Sequence, residues 1–199
     1  SLFLPEVHRE AIVALYTFNM EIARVRADVN DPLIGQLRLK WWHDTVENIG
    51  TGDVPNHPLV NALDNVFSEY QLDPVALQSI VGEYADDLSP RHLVNVEDLL
   101  SHLDKTLGDL NSLIVRIAGG RGSGEAVKAG YHIARAWGLS NLLRDLPKTV
   151  SQGRIYIPED ICRREAASTL DLMELSGARP LSSGVIRVIQ SIVEIAEDE

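Results

Sequence analysis

The residues best suited to chemistry lie in one stretch, 136–160, where an acid is followed by a basic connector. Asp145 stands near the end of a helical pattern, and Arg144, Lys148 and Arg154 form a local positive cluster around it. Guanidinium groups bind phosphate or carboxylate through two parallel hydrogen bonds. Cations at a helix end also complement the helix dipole without any ligand. The stretch therefore predicts either an anion site or a solvated helix end.

A divalent metal site needs more than the one acid found here. Two carboxylates three or four residues apart share a helix face, and two such pairs can hold Mg²⁺ ions that bridge a diphosphate. Lys148 and Thr149 occupy the positions after Asp145 where a second carboxylate would lie. Asp145 is therefore a lone candidate for a metal ligand. The alternative is an ion pair with Arg144, Arg154 or a neighbouring helix.

Composition excludes several classes of function. The chain has 18 basic and 29 acidic residues, a formal net charge of −11. This charge disfavours nucleic acid, whose binding rests on Lys and Arg neutralising phosphates, and adsorption to anionic lipid by charge alone. Cys162 is the only cysteine, so an intrachain disulfide and a cysteine-based zinc site are excluded. No apolar run approaches the roughly 18–20 residues of a transmembrane segment.

Apolar spacing predicts helices along almost the whole chain. After a lead-in over residues 2–6, apolar residues recur at three- and four-residue steps from Ile12 to about Val29, which is typical of a helix. Further helices are predicted over 32–49, from 57 or 58 to 70, and over 74–88, 96–118, 125–146, 159–165, 169–175 and 180–196. Only 154–157 alternates like a strand, so the fold class is all-α. The chain begins at Ser1 without a methionine and ends within a helical pattern. We expect one domain over 1–199 that lacks terminal segments.

Two regions resemble the motif regions of squalene and phytoene synthases, the head-to-head prenyltransferases. Residues 14–22, ALYTFNMEI, resemble the first region, and 138–145, GLSNLLRD, followed by 153–158, GRIYIP, resemble the second. The similarity runs in matching order from about Leu2 to beyond Ser168. It implies an isoprenoid synthase-type helical bundle with a central cavity that is lined by two opposed acidic motifs.

The acidic motifs of that family are degenerate in this chain. At the positions of the first motif stand Ala23, Arg24, Ala27 and Asp28. In the second motif, Asp145 is kept and the following acids are replaced by Lys148 and Thr149. His102 stands where the family has a tyrosine near the reacting centre. Ionisation of a prenyl diphosphate needs metal ions to neutralise the leaving group, and two remaining acids are a poor cage for them.

The resemblance implies two groups of candidate site residues. The remnants of the reacting centre are Asp28, His102 and Asp145, of which Asp145 is the metal candidate. The candidates for contact with a diphosphate or another ligand are Tyr16, Arg24, Asn141, Arg144, Arg154 and Tyr156.

A narrower resemblance is to the branch of this family that assembles respiratory complex I and also lacks the acidic motifs. It is carried by 18–25, FNMEIARV, 34–42, IGQLRLKWW, and 158–162, PEDIC. It implies a catalytically silent protein, without a cofactor, that binds a partner in complex I assembly or a prenyl lipid in its cavity. Its expected location is the bacterial cytoplasm, peripheral at the inner membrane, or the mitochondrial matrix side. The alternative is a Mg²⁺-dependent prenyltransferase that condenses farnesyl or geranylgeranyl diphosphate.

Overall fold

A computed structural model describes residues 5–28, 31–89, 92–119, 124–173, 175 and 181–199; the side chains of 26–28 and 32 lie outside this description. Within these ranges the chain is helical and contains no strand, which confirms the all-α class. The helices are α1 (Glu6–Asp28), α2 (Pro32–Val46), α3 (Pro58–Tyr70), α4 (Val75–Asp86), α5 (Val96–Leu103), α6 (Asp109–Ile117), α7 (Gly124–Ser151), α8 (Glu159–Arg164), α9 (Thr169–Met173) and α10 (Ser183–Glu197). The predicted ends at Val29 and Pro180 lie outside the described residues.

The chain forms two compact units. The first comprises Ser1–Ser89 and Lys105–Tyr131, and the second Pro90–Asp104 and His132–Glu199. In the first unit, α1 buries the three- and four-residue stripe that its sequence predicts, with Leu15, Phe18 and Ile22 fully enclosed. Residues of α2, α3 and α4 close around this stripe. Burial of apolar surface is the main force that holds these helices together.

The second unit is built around the later part of α7 and the short C-terminal helices. The N-terminus of α8 is tied to an earlier segment, because the Glu159 amide donates to the Leu93 carbonyl at 2.9 Å and the Asp160 amide to Val94 at 3.1 Å. α10 packs against α8 and α9. Its Gly184 fits tightly, since a Cβ there would lie 2.9 Å from the Ala166 carbonyl oxygen.

The short stretch 154–157, which alternates like a strand, is irregular. Three details of the predicted helices are wrong. α2 ends at Val46 and not at residue 49. The predicted helix over 96–118 is interrupted by a π-helical turn, Asp104–Gly108. The helix over 125–146 continues through Pro147 to Ser151. Proline removes the hydrogen bond to the carbonyl four residues earlier. Here the last turn is retained because Val150, beyond the proline, is buried in the core.

Gly108 offers the first testable prediction. A Cβ at Gly108 would lie 2.4 Å from Cδ1 of Tyr131, whose hydroxyl donates to the Asp109 carboxylate at 2.5 Å. We expect Gly108→Ala to lower the free energy of unfolding by about 1–3 kcal/mol, because the ring must move. Gly82→Ala in α4 is the matched control. Nothing lies within 4 Å of its Cβ, so better helix propensity should raise stability by up to about 1 kcal/mol. Urea denaturation measures both. Equal effects would contradict the position of Tyr131.

Candidate functional site

Asp145 lies on the exposed side of the last turns of α7 and already holds a cation. Nε of Arg144 donates to Oδ1 of Asp145 at 3.1 Å, and the guanidinium also reaches Oδ2 at 3.4 Å. This contact raises the pKa of Arg144. Both side chains are largely exposed, 65% for Arg144 and 51% for Asp145. The geometry therefore corresponds to the ion-pair alternative for Asp145 named from the sequence.

The end of α7 is closed by a glycine turn that positions the basic connector. Gly153 has a φ of +73°, a left-handed conformation that glycine adopts without strain. Its amide donates to the Val150 carbonyl at 2.9 Å, and the Arg154 amide donates to Thr149 at 2.9 Å. These two bonds form a Schellman motif, the common end of an α-helix. Arg154 is thereby held directly beyond the helix end, and the helix carries Asp145 two turns earlier.

Arg154 is half-buried and carries a free charge within the described part of the chain. Its guanidinium makes no hydrogen bond or ion pair with any residue in that part. Arg144 differs, because its charge is shared with Asp145. Of the arginines near the end of α7, Arg154 is therefore the one whose donors are left without a partner among the residues that the structure describes.

The structure brings together two candidates that are far apart in sequence. The rings of His102, on α5, and Tyr156, in the connector, are stacked with centroids 6.0 Å apart and planes 21° from parallel. Both side chains are half-buried. Offset stacking at this separation is a favourable aromatic arrangement. His102 therefore supports the connector that carries Arg154 and Tyr156.

The other candidates lie on two helices. Asn141 is half-buried on α7, one turn before Asp145 and on the same helix face. Tyr16 and Arg24 are exposed on α1 in the first unit. The side chain of Asp28, the last residue of α1, lies outside the described residues. No three His, Cys, Asp or Glu side chains are placed to hold a metal ion among the residues that the structure describes.

An ion-pair network in the second unit was not predicted from the sequence. Arg135, on α7, contacts the carboxylates of Asp104 and Glu199, and His132 contacts Glu199 as well. These residues are separated by 31 to 67 positions. Spacing along one helix cannot reveal such pairs, because it detects only neighbours three or four residues apart.

Comparisons with known proteins agree on one family. The family model described as squalene/phytoene synthase matches residues 1–198. The chain is 31% identical over 173 residues to human NADH dehydrogenase (ubiquinone) complex I, assembly factor 6, which covers 87% of this chain and 52% of the relative. It is 27% identical over 158 residues to presqualene diphosphate synthase of Sinorhizobium fredii, with 79% and 56% covered. The chain thus spans about half the length of these relatives.

Two solved structures show the same fold. A squalene synthase from Alicyclobacillus acidocaldarius superposes with a TM-score of 0.87 at 20% identity, over 100% of this chain and 72% of that one. A dehydrosqualene synthase superposes with a TM-score of 0.85 at 20% identity, over 98% and 66%. The expected isoprenoid synthase-type fold is confirmed by these two structures.

Proposed function

The chain belongs to the squalene/phytoene synthase family, and we propose that it is a catalytically silent member that acts as an assembly factor for respiratory complex I. The observation that carries this proposal is the state of the second acidic motif. Its one acid, Asp145, is held by Arg144, and Lys148 and Thr149 follow where further acids would stand. The 31% sequence identity to human complex I assembly factor 6 supports the same proposal.

The described residues do not fit a cluster of Mg²⁺ ions. Mg²⁺ demands near-octahedral oxygen ligands and is bound through carboxylates together with substrate phosphates. In the second motif region of α7 only Asp145 offers a carboxylate, and on α1 the cation of Arg24 stands within the degenerate first motif. A guanidinium carries a single charge that is spread over a plane, so it cannot replace the charge density of a metal ion. The proposed role accordingly uses no cofactor.

A prenyl or other lipid remains the ligand class that the retained residues suit best. Arg154 has free donors in the described part of the chain. Tyr156 lies in the same connector as Arg154, and Asn141 lies on α7, the helix that carries Arg144. A phosphate group would meet Arg154 through charge-assisted hydrogen bonds. We propose that such binding serves recognition, with Arg144 as a further contact and His102 as a remnant of the reacting centre.

The proposed location is peripheral at the inner membrane, on the cytoplasmic side of a bacterium or the matrix side of a mitochondrion. None of the helices in the described residues is long and apolar enough to cross a bilayer. The proposed protein partner is a protein that takes part in the assembly of complex I. The second candidate function is a Mg²⁺-dependent prenyltransferase, which similarity to presqualene diphosphate synthase favours and the degenerate motifs oppose.

Deletion of the gene in its own organism, followed by complementation with the full-length protein, tests the assembly role. We expect the deletion to lower the amount of assembled complex I and its NADH:ubiquinone activity in isolated membranes. The wild-type gene should restore both. Normal complex I together with loss of a squalene- or phytoene-type hydrocarbon would contradict the proposal and favour the prenyltransferase.

Asp145→Asn separates the two functions by a single atom. We expect the variant to restore complex I within about twofold of the wild type, since changes at exposed positions are usually small. A prenyltransferase that used Asp145 for metal binding would lose activity by orders of magnitude. Asp104→Asn is the matched control, because its carboxylate accepts two 2.7 Å bonds from Arg135 and its loss should reduce the folded protein. A folded Asp145→Asn protein that fails to restore complex I would contradict the proposal that the protein is catalytically silent.

A further inference from the structure

The exposed face of α2 carries a continuous apolar stripe. Its members are Leu33, Ile34, Leu37 and Trp41, with exposed fractions of 61%, 51%, 61% and 41%. Three of them recur at four-residue steps, so they share one side of the helix. The opposite side of α2 faces the core of the first unit through Gly35, Leu39, Trp42 and Val46. Single exposed apolar residues are ordinary, but four on one helix face indicate an interaction surface.

Two cations border the α2 stripe on opposite sides. At 100° per residue, Arg38 lies beyond one edge of the stripe and Lys40 beyond the other. Both are exposed. Lys40 also pairs with Asp44 at 2.9 Å, an i to i+4 contact on the helix surface. The long stems of Lys and Arg can cover apolar surface while their charged ends reach a polar layer.

Trp41 is held in place at one end of the stripe. Its ring lies 4.9 Å from that of Trp42 and 5.8 Å from that of His57, both in near-perpendicular contacts. Trp42 is buried in the core. The indole is therefore presented at the surface by a fixed support and does not need to be ordered on binding. Indole rings with one apolar and one polar end favour the boundary between lipid chains and headgroups.

We propose that the α2 stripe docks the protein onto the surface of a phospholipid bilayer. Leu33, Leu37 and Trp41 enter the boundary between headgroups and acyl chains, and Arg38 contacts a lipid phosphate, while the stem of Lys40, whose charge is paired with Asp44, covers apolar surface. Interfacial helices have this arrangement of an apolar face bordered by basic residues. The net charge of −11 opposes adsorption by charge, so insertion of the stripe supplies the affinity. The inference deepens the peripheral location proposed above and rests on it.

Vesicle co-sedimentation of the full chain tests the docking surface. The vesicles contain phosphatidylcholine alone or mixed with phosphatidylglycerol. We expect the wild type to bind both, and the double variant Leu37→Ser/Trp41→Ser to bind at least about 10-fold more weakly, because two inserted side chains are lost. Arg38→Gln should weaken binding to the mixed vesicles about fivefold. The matched control is Ile133→Ser/Trp137→Ser on α7, whose residues are 64% and 60% exposed and which should bind as the wild type does.

Brominated lipids report directly on insertion, because they quench the fluorescence of an indole that enters the acyl boundary. Quenching is expected to persist in Trp137→Phe and to disappear in Trp41→Phe. Equal weakening by both double variants, or quenching that depends on Trp137, would overturn the proposal. The proposal would also be overturned if the wild type binds neither kind of vesicle and instead dimerises through the stripe, with dimerisation measured by light scattering. Complementation of complex I is a separate readout, so the assembly role can stand when the docking surface fails.

Discussion

Replacing Phe18 with alanine is expected to lower the free energy of unfolding by about 3–5 kcal/mol. Phe18 is fully buried on α1, and its ring meets that of Trp42 edge-on at 5.4 Å between centroids. Truncation removes apolar contacts to the core of the first unit and leaves a cavity that rigid helices fill only in part. Because domains are stable by only about 5–15 kcal/mol, much of the variant would unfold well below the wild-type urea midpoint. Urea denaturation followed by circular dichroism measures the change.

Two variants on the same helix serve as controls for Phe18. Phe18→Leu keeps most of the volume and should cost less than about 1.5 kcal/mol. Tyr16→Ala, at a position that is 48% exposed, should change stability by no more than about 0.5 kcal/mol. A Phe18→Ala cost that matched the Tyr16→Ala cost would contradict the enclosed position of Phe18.

Arg135→Met should lower the free energy of unfolding by about 2–3 kcal/mol. Its Nε and one terminal nitrogen donate to the two oxygens of Asp104, each at 2.7 Å, and the other terminal nitrogen donates to Glu199 at 3.0 Å. These bonds raise the pKa of Arg135. The Arg135 side chain is 26% exposed and that of Glu199 11%, so water replaces the lost donors only in part. Methionine keeps an apolar side chain of similar length. The loss in the free energy of unfolding therefore measures the contribution of the guanidinium group.

A double-mutant cycle isolates the contact between Arg135 and Asp104. Asp104→Asn added to Arg135→Met should cost clearly less than the sum of the single changes, since both remove the same bonds. Arg144→Met is the matched control, because the same change removes an exposed ion pair with Asp145, and it should leave the unfolding midpoint unchanged. Additive effects of Asp104→Asn and Arg135→Met would contradict the bidentate contact.

The helices that the sequence predicts well are those with local signals at their ends. The helix that is predicted to begin at 57 or 58 and to end at residue 70 is confirmed as α3, which begins at Pro58. Pro58 suits a first helical position, and Gln71 takes the left-handed conformation with a φ of 53° that ends helices. Binary spacing likewise predicted the buried stripe of α1, because Phe18 and its neighbours recur at helical steps. Such signals depend only on residues within one or two turns.

The features that the sequence did not predict depend on distant parts of the chain. α7 continues past Pro147 because Leu146 and Val150 are both buried in the core, and this burial cannot be read from proline propensity. The π-helical turn ends at Gly108, over which the Tyr131 ring lies. The stacking of His102 on Tyr156 joins residues 54 positions apart. The pairing of Asp145 was named as an alternative, and only side-chain geometry selects Arg144 as its partner.

Turnover of prenyl diphosphates tests the central claim, that this family member is catalytically silent, most directly. The full-length protein is incubated with farnesyl or geranylgeranyl diphosphate, Mg²⁺ and NADPH, and released diphosphate and hydrocarbon products are quantified. We expect no release above the level without protein, because Asp145 is the one acid kept in the second motif and the acids that would complete a metal site are absent from it. Protein-dependent release of diphosphate with a condensed hydrocarbon product would contradict the claim.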